Sequence, residues 1–363
     1  MALEFFTEAV DDSGTAAGQL SLAVDETNTP WIAYATSNGS VVVARREKEG
    51  WIKQVLPQYS AVRDAYRIGL AISSYPGLNP HVAYLNEGTD HLIYGVRGTE
   101  WKLEEVPTRG GIIIGPARFV SLRLNPGLVS PALKDTPNLS YQGGLSLWHA
   151  AKAAPPTGGP PRWKKNVHEV EVGGLIEKGW YSTLAFDRQG LLYMASFDDL
   201  SPAGQTARRL RVVRLAGDAV VGQPEEWRVE LLDGDQILGS RPSMTHADSG
   251  EGLVTYYERH ERAIRLCIFG TGDQPPSMQV LGDGVETDEE AYSACSIGTH
   301  PPIRVVYGAG GQLKLAEQQT GDTFDVRDVE AGGAWSDLVL DREGTVHVAH
   351  MNGSEVRYGA AAP

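Results

Sequence analysis

One four-part phrase recurs along the whole chain, and it limits the fold more than any other property of the sequence. It first reads Ser21-Leu22-Ala23-Val24-Asp25, then Pro30-Trp31-Ile32-Ala33-Tyr34, then Val41-Val42-Val43-Ala44-Arg45, then Gly50-Trp51 running to Leu56. It returns as Gly69-Leu70-Ala71, Pro80-His81-Val82-Ala83-Tyr84, Leu92-Ile93-Tyr94 and Trp101 to Val106. Later copies open at Ser130-Pro131-Ala132-Leu133, Thr183-Leu184-Ala185, Ser243-Met244-Thr245, Ser293-Ala294-Cys295 and Asp337-Leu338-Val339. Each part is short, rich in β-branched and aromatic residues, and bounded by Gly, Pro, Asn or Asp, the pattern of strands joined by tight turns. Four strands per unit at a period of roughly 40–60 residues is the pattern of a propeller blade.

The seventh copy ends one strand short at Glu355-Val356-Arg357-Tyr358. The missing strand stands at the other terminus, where Phe5-Phe6-Thr7-Glu8-Ala9-Val10 matches Phe324-Asp325-Val326-Arg327-Asp328-Val329. The reading is therefore an all-β, seven-bladed β-propeller of four-stranded antiparallel blades, the last closed by the N-terminal strand so that no open seam remains. One domain spans 1–363, with blades at about 18–57, 67–107, 116–172, 180–232, 240–281, 290–330, and 334–360 joined by 3–10.

The pairing of a Ser-Leu-Ala-x-Asp phrase with Pro-His-Val-Ala-Tyr resembles a bacterial class of seven-bladed propeller repeats. The resemblance covers nearly the whole chain and implies the fold. It does not imply an activity, because propellers host enzymes, lectins and scaffolds alike.

Composition narrows the partners. Asp and Glu number 46 against 32 Lys and Arg, a net charge of -14. Nucleic acid is therefore not an expected partner, since its recognition needs a basic footprint. No apolar run approaches the roughly 18–20 residues that span a bilayer, so no membrane partner is expected. The first residues lack the basic and apolar regions of a signal peptide, and two cysteines, Cys267 and Cys295, make no disulfide framework. A cytoplasmic monomer is the expectation. No phosphate loop, dinucleotide fingerprint, nucleophile elbow or zinc spacing is present. No cofactor is identifiable, although a metal assembled from separate blades would leave no motif.

In a propeller the start of each first strand and the end of each second strand share one face. The first set is Gln19, Arg67, Tyr181, Arg241, Tyr292 and Trp335; the second is Tyr34, Tyr84, Tyr141, Ser196, Tyr256, Tyr307 and His350. Three residues depart from the repeat. His350 and Ser196 each replace a tyrosine, and Asp337 stands where Ser21, Gly69, Ser130, Thr183, Ser243 and Ser293 are small. A carboxylate at that crowded position must find a partner, a neighbouring amide or an arginine among them. The expected site is a single asymmetric one at this mouth, taking a small molecule or saccharide. His350, Tyr292 and Asp337 are its expected acid–base groups; Arg67, Arg241, Tyr181, Trp335, Tyr256 and Tyr84 are its expected substrate-binding groups. Tyr, His and Arg suit proton abstraction beside a carboxylate, as in lyases, or a cyclisation. A protein-interaction scaffold and a carbohydrate-binding lectin are the alternatives. Residues 107–127 form a long connection that is either a loop or, over Phe119 to Leu124, a strand.

Overall fold

The computed structural model describes residues 4–362 except 58–67, 75, 87–88, 90, 108–116, 144–145, 155–158, 168–176, 200–207, 217–225, 238, 248, 271–275, 288–290, 292 and 298–301. Among the described residues, 28 strands form seven four-stranded antiparallel sheets. Blade one holds β2 (Ala16–Val24), β3 (Pro30–Thr36), β4 (Val41–Glu47) and β5 (Gly50–Val55). Blade two holds β6 (Gly69–Ile72), β7 (Pro80–Asn86), β8 (His91–Arg97) and β9 (Trp101–Val106). Blade three holds β10 (Ala117–Leu124), β11 (Pro137–Gly143), β12 (Ser146–Ala153) and β13 (Arg162–Val167). Blade four holds β14 (Glu177–Phe186), β15 (Leu192–Asp199), β16 (Arg208–Ala216) and β17 (Glu226–Ile237). Blade five holds β18 (Gly239–His246), β19 (Gly252–Glu258), β20 (Ala263–Phe269) and β21 (Ser277–Gly282). Blade six holds β22 (Ser293–Ile297), β23 (Ile303–Ala309), β24 (Gln312–Gln318) and β25 (Phe324–Ala331). Blade seven holds β26 (Ala334–Leu340), β27 (Val346–Asn352), β28 (Glu355–Ala361) and, as its outer strand, β1 (Phe6–Asp11).

Each inner strand packs on the inner strand of the next blade, in the order β2, β6, β10, β14, β18, β22, β26 and back to β2. The sheets thus close into a seven-bladed β-propeller. The N-terminal strand completes the last blade, with Phe6 paired to Ala360 and Glu8 to Tyr358.

Local chemistry sets the turns. Asp25, Asp187 and Asp341 each follow an inner strand, and one carboxylate oxygen of each accepts the backbone N–H groups two and four residues on. These Asx-type turns reverse the chain into the second strand. The core lies between blades, one cluster per seam. Across the closing seam, Leu20, Leu22, Ile32 and Tyr34 of blade one meet Ala349, Met351 and Val356 of blade seven. Both faces of a blade are therefore covered, so a run such as Pro30–Thr36 is buried at every position.

Two expectations about register are corrected. Ser130 to Leu133 does not open blade three. Pro131–Leu133 is a single 3-10 turn inside a loop that Asp135 N closes onto Asn125 O at 2.9 Å. The inner strand is β10, so the equivalent of Asp337 is Ser121, paired with Ser140 as Asp337 is with Ala349. In blade six the equivalent is Ala294, paired with Val306, not Ser293.

Candidate functional site

Among the described residues, five inner strands carry a register break near their start. It falls between Ala16 and Leu20 in β2, Arg118 and Ser121 in β10, Trp180 and Thr183 in β14, Ser240 and Ser243 in β18, and Ala334 and Asp337 in β26. Within each break one residue takes the left-handed conformation: Gly18 at φ 54°, Phe119 at 54°, and Tyr181, Arg241 and Trp335 each at 56°. Only the first is glycine. A bulky residue there costs about 1 kcal/mol or more. The bulge re-aims its side chain out of the strand's alternation, as bulges at rims and sites do.

The re-aimed side chains meet. The Phe119 and Tyr181 ring centroids lie 4.4 Å apart, and Trp180 lies 5.6 Å from Phe119. The Arg241 guanidinium carbon stands 5.5 Å from the Tyr181 ring centroid, within cation–π range. Across the closing seam, the Trp335 indole lies so close to Gly18 that an added Cβ would sit 3.0 Å from Cε2 and Cζ2. Glycine at 18 therefore serves both the backbone angle and the approach of the ring. The result is a collar of aromatic rings with a guanidinium among them. Phe119 and Arg241 are only 5% and 6% exposed, whereas Tyr181 and Trp335 are half-buried.

Below the collar, Ser21, Ser121, Ser243, Ser336, Asp337 and Trp335 line a polar cavity of about 40 Å³. Asp337 does not present a bare carboxylate to it. Oδ2 accepts the N–H of Leu22 at 2.8 Å and Oδ1 that of Leu338 at 2.9 Å. Ser121 does the same between blades three and four, where its Oγ accepts the N–H of Leu184 at 3.3 Å.

The expected site therefore divides. Tyr181, Arg241 and Trp335 stand in equivalent bulges at the start of their inner strands, and Phe119 joins them. Arg67 and Tyr292 occupy the corresponding sequence positions of blades two and six and lie outside the described residues. Tyr84, Tyr256 and His350 were expected at the mouth, and the structure puts them in the seams instead. The cause is strand alternation: this position of the second strand faces the preceding blade. Tyr84 packs with Trp31 and Val43 of blade one, and Tyr256 with Phe197 of blade four. Tyr34 donates its hydroxyl to Asp11 Oδ2 at 2.7 Å. Tyr307 reaches Gly282, where an added Cβ would stand 2.0 Å from its oxygen.

His350 makes the same contact with different chemistry. It is 0% exposed, and its Nε2 lies 2.7 Å from Glu330 Oε1 on β25. Arg357 Nη2 donates to the other carboxylate oxygen at 3.0 Å. Burial, helped by the Arg357 charge, pushes the imidazole down to about 3, so it is neutral and donates to the carboxylate. His81 and His347, near the start of their second strands, each place Nδ1 2.6 Å from a third-strand tyrosine hydroxyl, Tyr94 and Tyr358.

Sequence reasoning missed Arg123. It lines the cavity below the collar and also a larger one beyond it. The signal was the run Phe119 to Leu124, which reads as strand once Ser130 is set aside. Among the described residues no group of three or more His, Cys, Asp or Glu side chains is placed to hold a metal ion, and no helix is long and apolar enough to cross a membrane.

No family model matches the chain, and no curated protein matches it. Solved structures do. The polysaccharide lyase Uly1 aligns with TM-score 0.60 at 10% identity, over 98% of this chain and 91% of that one. A PL25 ulvan lyase aligns with TM-score 0.58 at 11% identity, over 96% and 93%. The Aleuria aurantia lectin in complex with α-methyl-L-fucoside aligns with TM-score 0.52 at 12% identity, over 91% and 96%. At such identities the likeness is one of fold.

Proposed function

We propose that the chain binds an acidic saccharide at the collared mouth and acts on it by acid–base chemistry of the elimination type. The carrying observation is the collar: Phe119, Tyr181, Arg241 and Trp335 all stand in equivalent bulges at a backbone angle that their side chains disfavour. Strain repeated at one rim marks a place where side-chain identity matters more than stability.

The groups present suit the ligand class. The half-buried Tyr181 and Trp335 rings offer flat apolar faces for the C–H face of a sugar. The Arg241 fork matches the planar geometry of a carboxylate or sulfate. Elimination at a uronate needs three things. A cation neutralises the carboxylate, a base removes the proton from the adjacent carbon, and an acid protonates the departing glycosidic oxygen as the new C=C bond forms. Arg241 fits the first role. The Tyr181 phenol beside it and Tyr292, one blade further on in sequence, fit the others. Asp337 acts on this reading as a positioning residue that holds two inner strands in register. The propeller lyases and saccharide-binding lectins among the structural neighbours support the ligand class.

A panel of uronate polysaccharides against neutral glucans tests the reading, with calorimetry for binding and the ultraviolet absorbance of unsaturated uronate for turnover. Acidic chains should bind and neutral ones should not, Arg241→Ala should weaken binding about tenfold or more, and Tyr181→Phe should abolish turnover while binding persists. The burial of His350 favours a second reading, a lectin that binds without turnover, for which the same assay gives binding and no absorbance change. If no acidic saccharide binds, both readings fall.

A further inference from the structure

The inner strands begin at the collar and end at the opposite mouth, where their last residues surround a cavity of about 410 Å³. That volume is within the range of small-molecule sites. Leu124, Phe186 and Leu340 supply apolar wall; Ser243 and Thr245 supply hydroxyls. The two wall carboxylates are engaged by backbone. Asp187 Oδ1 accepts the N–H groups of Gln189 and Leu191, both at 2.8 Å, and Asp337 those of Leu22 and Leu338.

Arg123 breaks the repeat here. It pairs with Asn138, and the residues so paired in the other blades are Ala23, Ala71, Ala185, Thr245, Ser296 and Val339. None is larger than valine. A long cation thus occupies a place the fold otherwise keeps small. It remains exposed while lining the cavity, and its Nη1 donates to the Leu122 carbonyl at 3.0 Å, which orients the fork.

We propose that this cavity is a second binding site, distinct from the collar, for a small monocarboxylate with a largely apolar body. Arg123 takes the carboxylate from blade three, Ser243 and Thr245 line the cavity from blade five, and Leu124 and Phe186 cover the apolar part. Among the described lining residues the only cation is Arg123, against Asp187 and Asp337, which suits a single negative charge; a dianion would face the two carboxylates with too little cation to offset them. The apolar wall disfavours a body as hydroxylated as a sugar, which separates this ligand from that of the collar.

Titration of the full chain with hexanoate and benzoate, followed by calorimetry or ligand-observed NMR, tests the site. Benzyl alcohol and inorganic phosphate are the controls. The carboxylates should bind and both controls should bind markedly less. Arg123→Gln should weaken the carboxylates about tenfold or more, while Arg241→Ala leaves them unchanged. Arg123→Lys, which keeps the charge and loses the fork, should fall between and stands in should the glutamine variant fail to fold. Absence of carboxylate binding to the wild type, equal affinity in the Arg123 variants, or phosphate binding as tightly as benzoate overturns the proposal. Loss of binding in Arg241→Ala instead places the carboxylate at the collar and also overturns it. Since the collar is read with acidic polysaccharide and this cavity with small monocarboxylates, either proposal can fail while the other stands.

Discussion

The carboxylate of Asp337 accepts the backbone N–H of Leu22 at 2.8 Å, joining the last inner strand of the ring to the first across 315 residues of sequence. Its other oxygen holds Leu338 N at 2.9 Å. The seam between blades seven and one is thereby tied at the channel as well as at the rim. Asp337→Ala leaves two amides without that acceptor and should lower stability by about 1–3 kcal/mol. Asp337→Asn keeps one acceptor oxygen and should cost less. Urea denaturation of both variants checks this; an unchanged midpoint for the alanine variant, with activity lost, would return Asp337 to a chemical role.

The rim tie is β1. It pairs with β28, and from blade one Glu8 receives Trp51 Nε1 at 2.8 Å and Arg46 Nε at 2.6 Å. Deleting residues 1–10 removes that strand and leaves β28 as an open edge. The truncated protein should melt at lower temperature and aggregate with rising concentration, as light scattering during a thermal ramp would show. Melting identical to the full chain would mean that the ring does not depend on this strand.

The left-handed bulges make an unusual substitution order. At an ordinary strand position alanine is better tolerated than glycine. At Trp335, φ is 56°, where glycine carries no Cβ penalty. Trp335→Gly should therefore be more stable than Trp335→Ala by about 1 kcal/mol. Both should weaken saccharide binding alike, since both lack the ring. Chemical denaturation gives the first comparison and calorimetry the second; alanine outranking glycine would contradict the bulge geometry.

These residues also show where reading the sequence succeeds and where it stops. The blade count and the closing strand follow from alternation and turn residues, which are local, and so does the collar position of Tyr181, Arg241 and Trp335. The seam position of His350 does not. Period-two alternation says that a side chain faces one side of its strand, but in a propeller both sides are buried, and nothing local distinguishes a seam from a channel mouth. The one-residue shift from Ser293 to Ala294 is of the same kind, because register is set by pairing with the second strand. Blade three failed for another reason. Ser130-Pro131-Ala132-Leu133 imitates the opening phrase, and the true strand follows a long insertion, so Phe119 to Leu124 reads equally as loop or strand and Arg123 does not stand out.

Acid should weaken this protein in two stages, the first set by His81, His246 and His350 and the second by Asp11, Asp25 and Asp341. Burial pushes His81 and His246 down to about 4 and His350 to about 3. Their unfolded pKa is about 6.5. Between those values the unfolded chain binds more protons than the folded one, so stability is full above about pH 6.5 and falls as the pH drops toward the folded values. Each histidine should cost roughly 2 kcal/mol by about pH 5. Burial also pushes Asp11, Asp25 and Asp341 up, but hydrogen bonds led by Tyr34, Thr27 and His347 respectively outweigh it and hold all three below the ordinary value. Their contribution is present above about pH 4 and is lost only below it. His350→Tyr separates the stages. The repeat places tyrosine at that position in five other blades, and Tyr34 already bonds an acidic partner there, so the introduced phenol has a precedent for reaching Glu330. The variant should fold, keep its saccharide binding, and lose roughly 2 kcal/mol less than the wild type between about pH 7 and pH 5. Denaturant titrations at the two pH values measure that difference; an equal loss in both proteins would show that His350 is not held neutral in the seam.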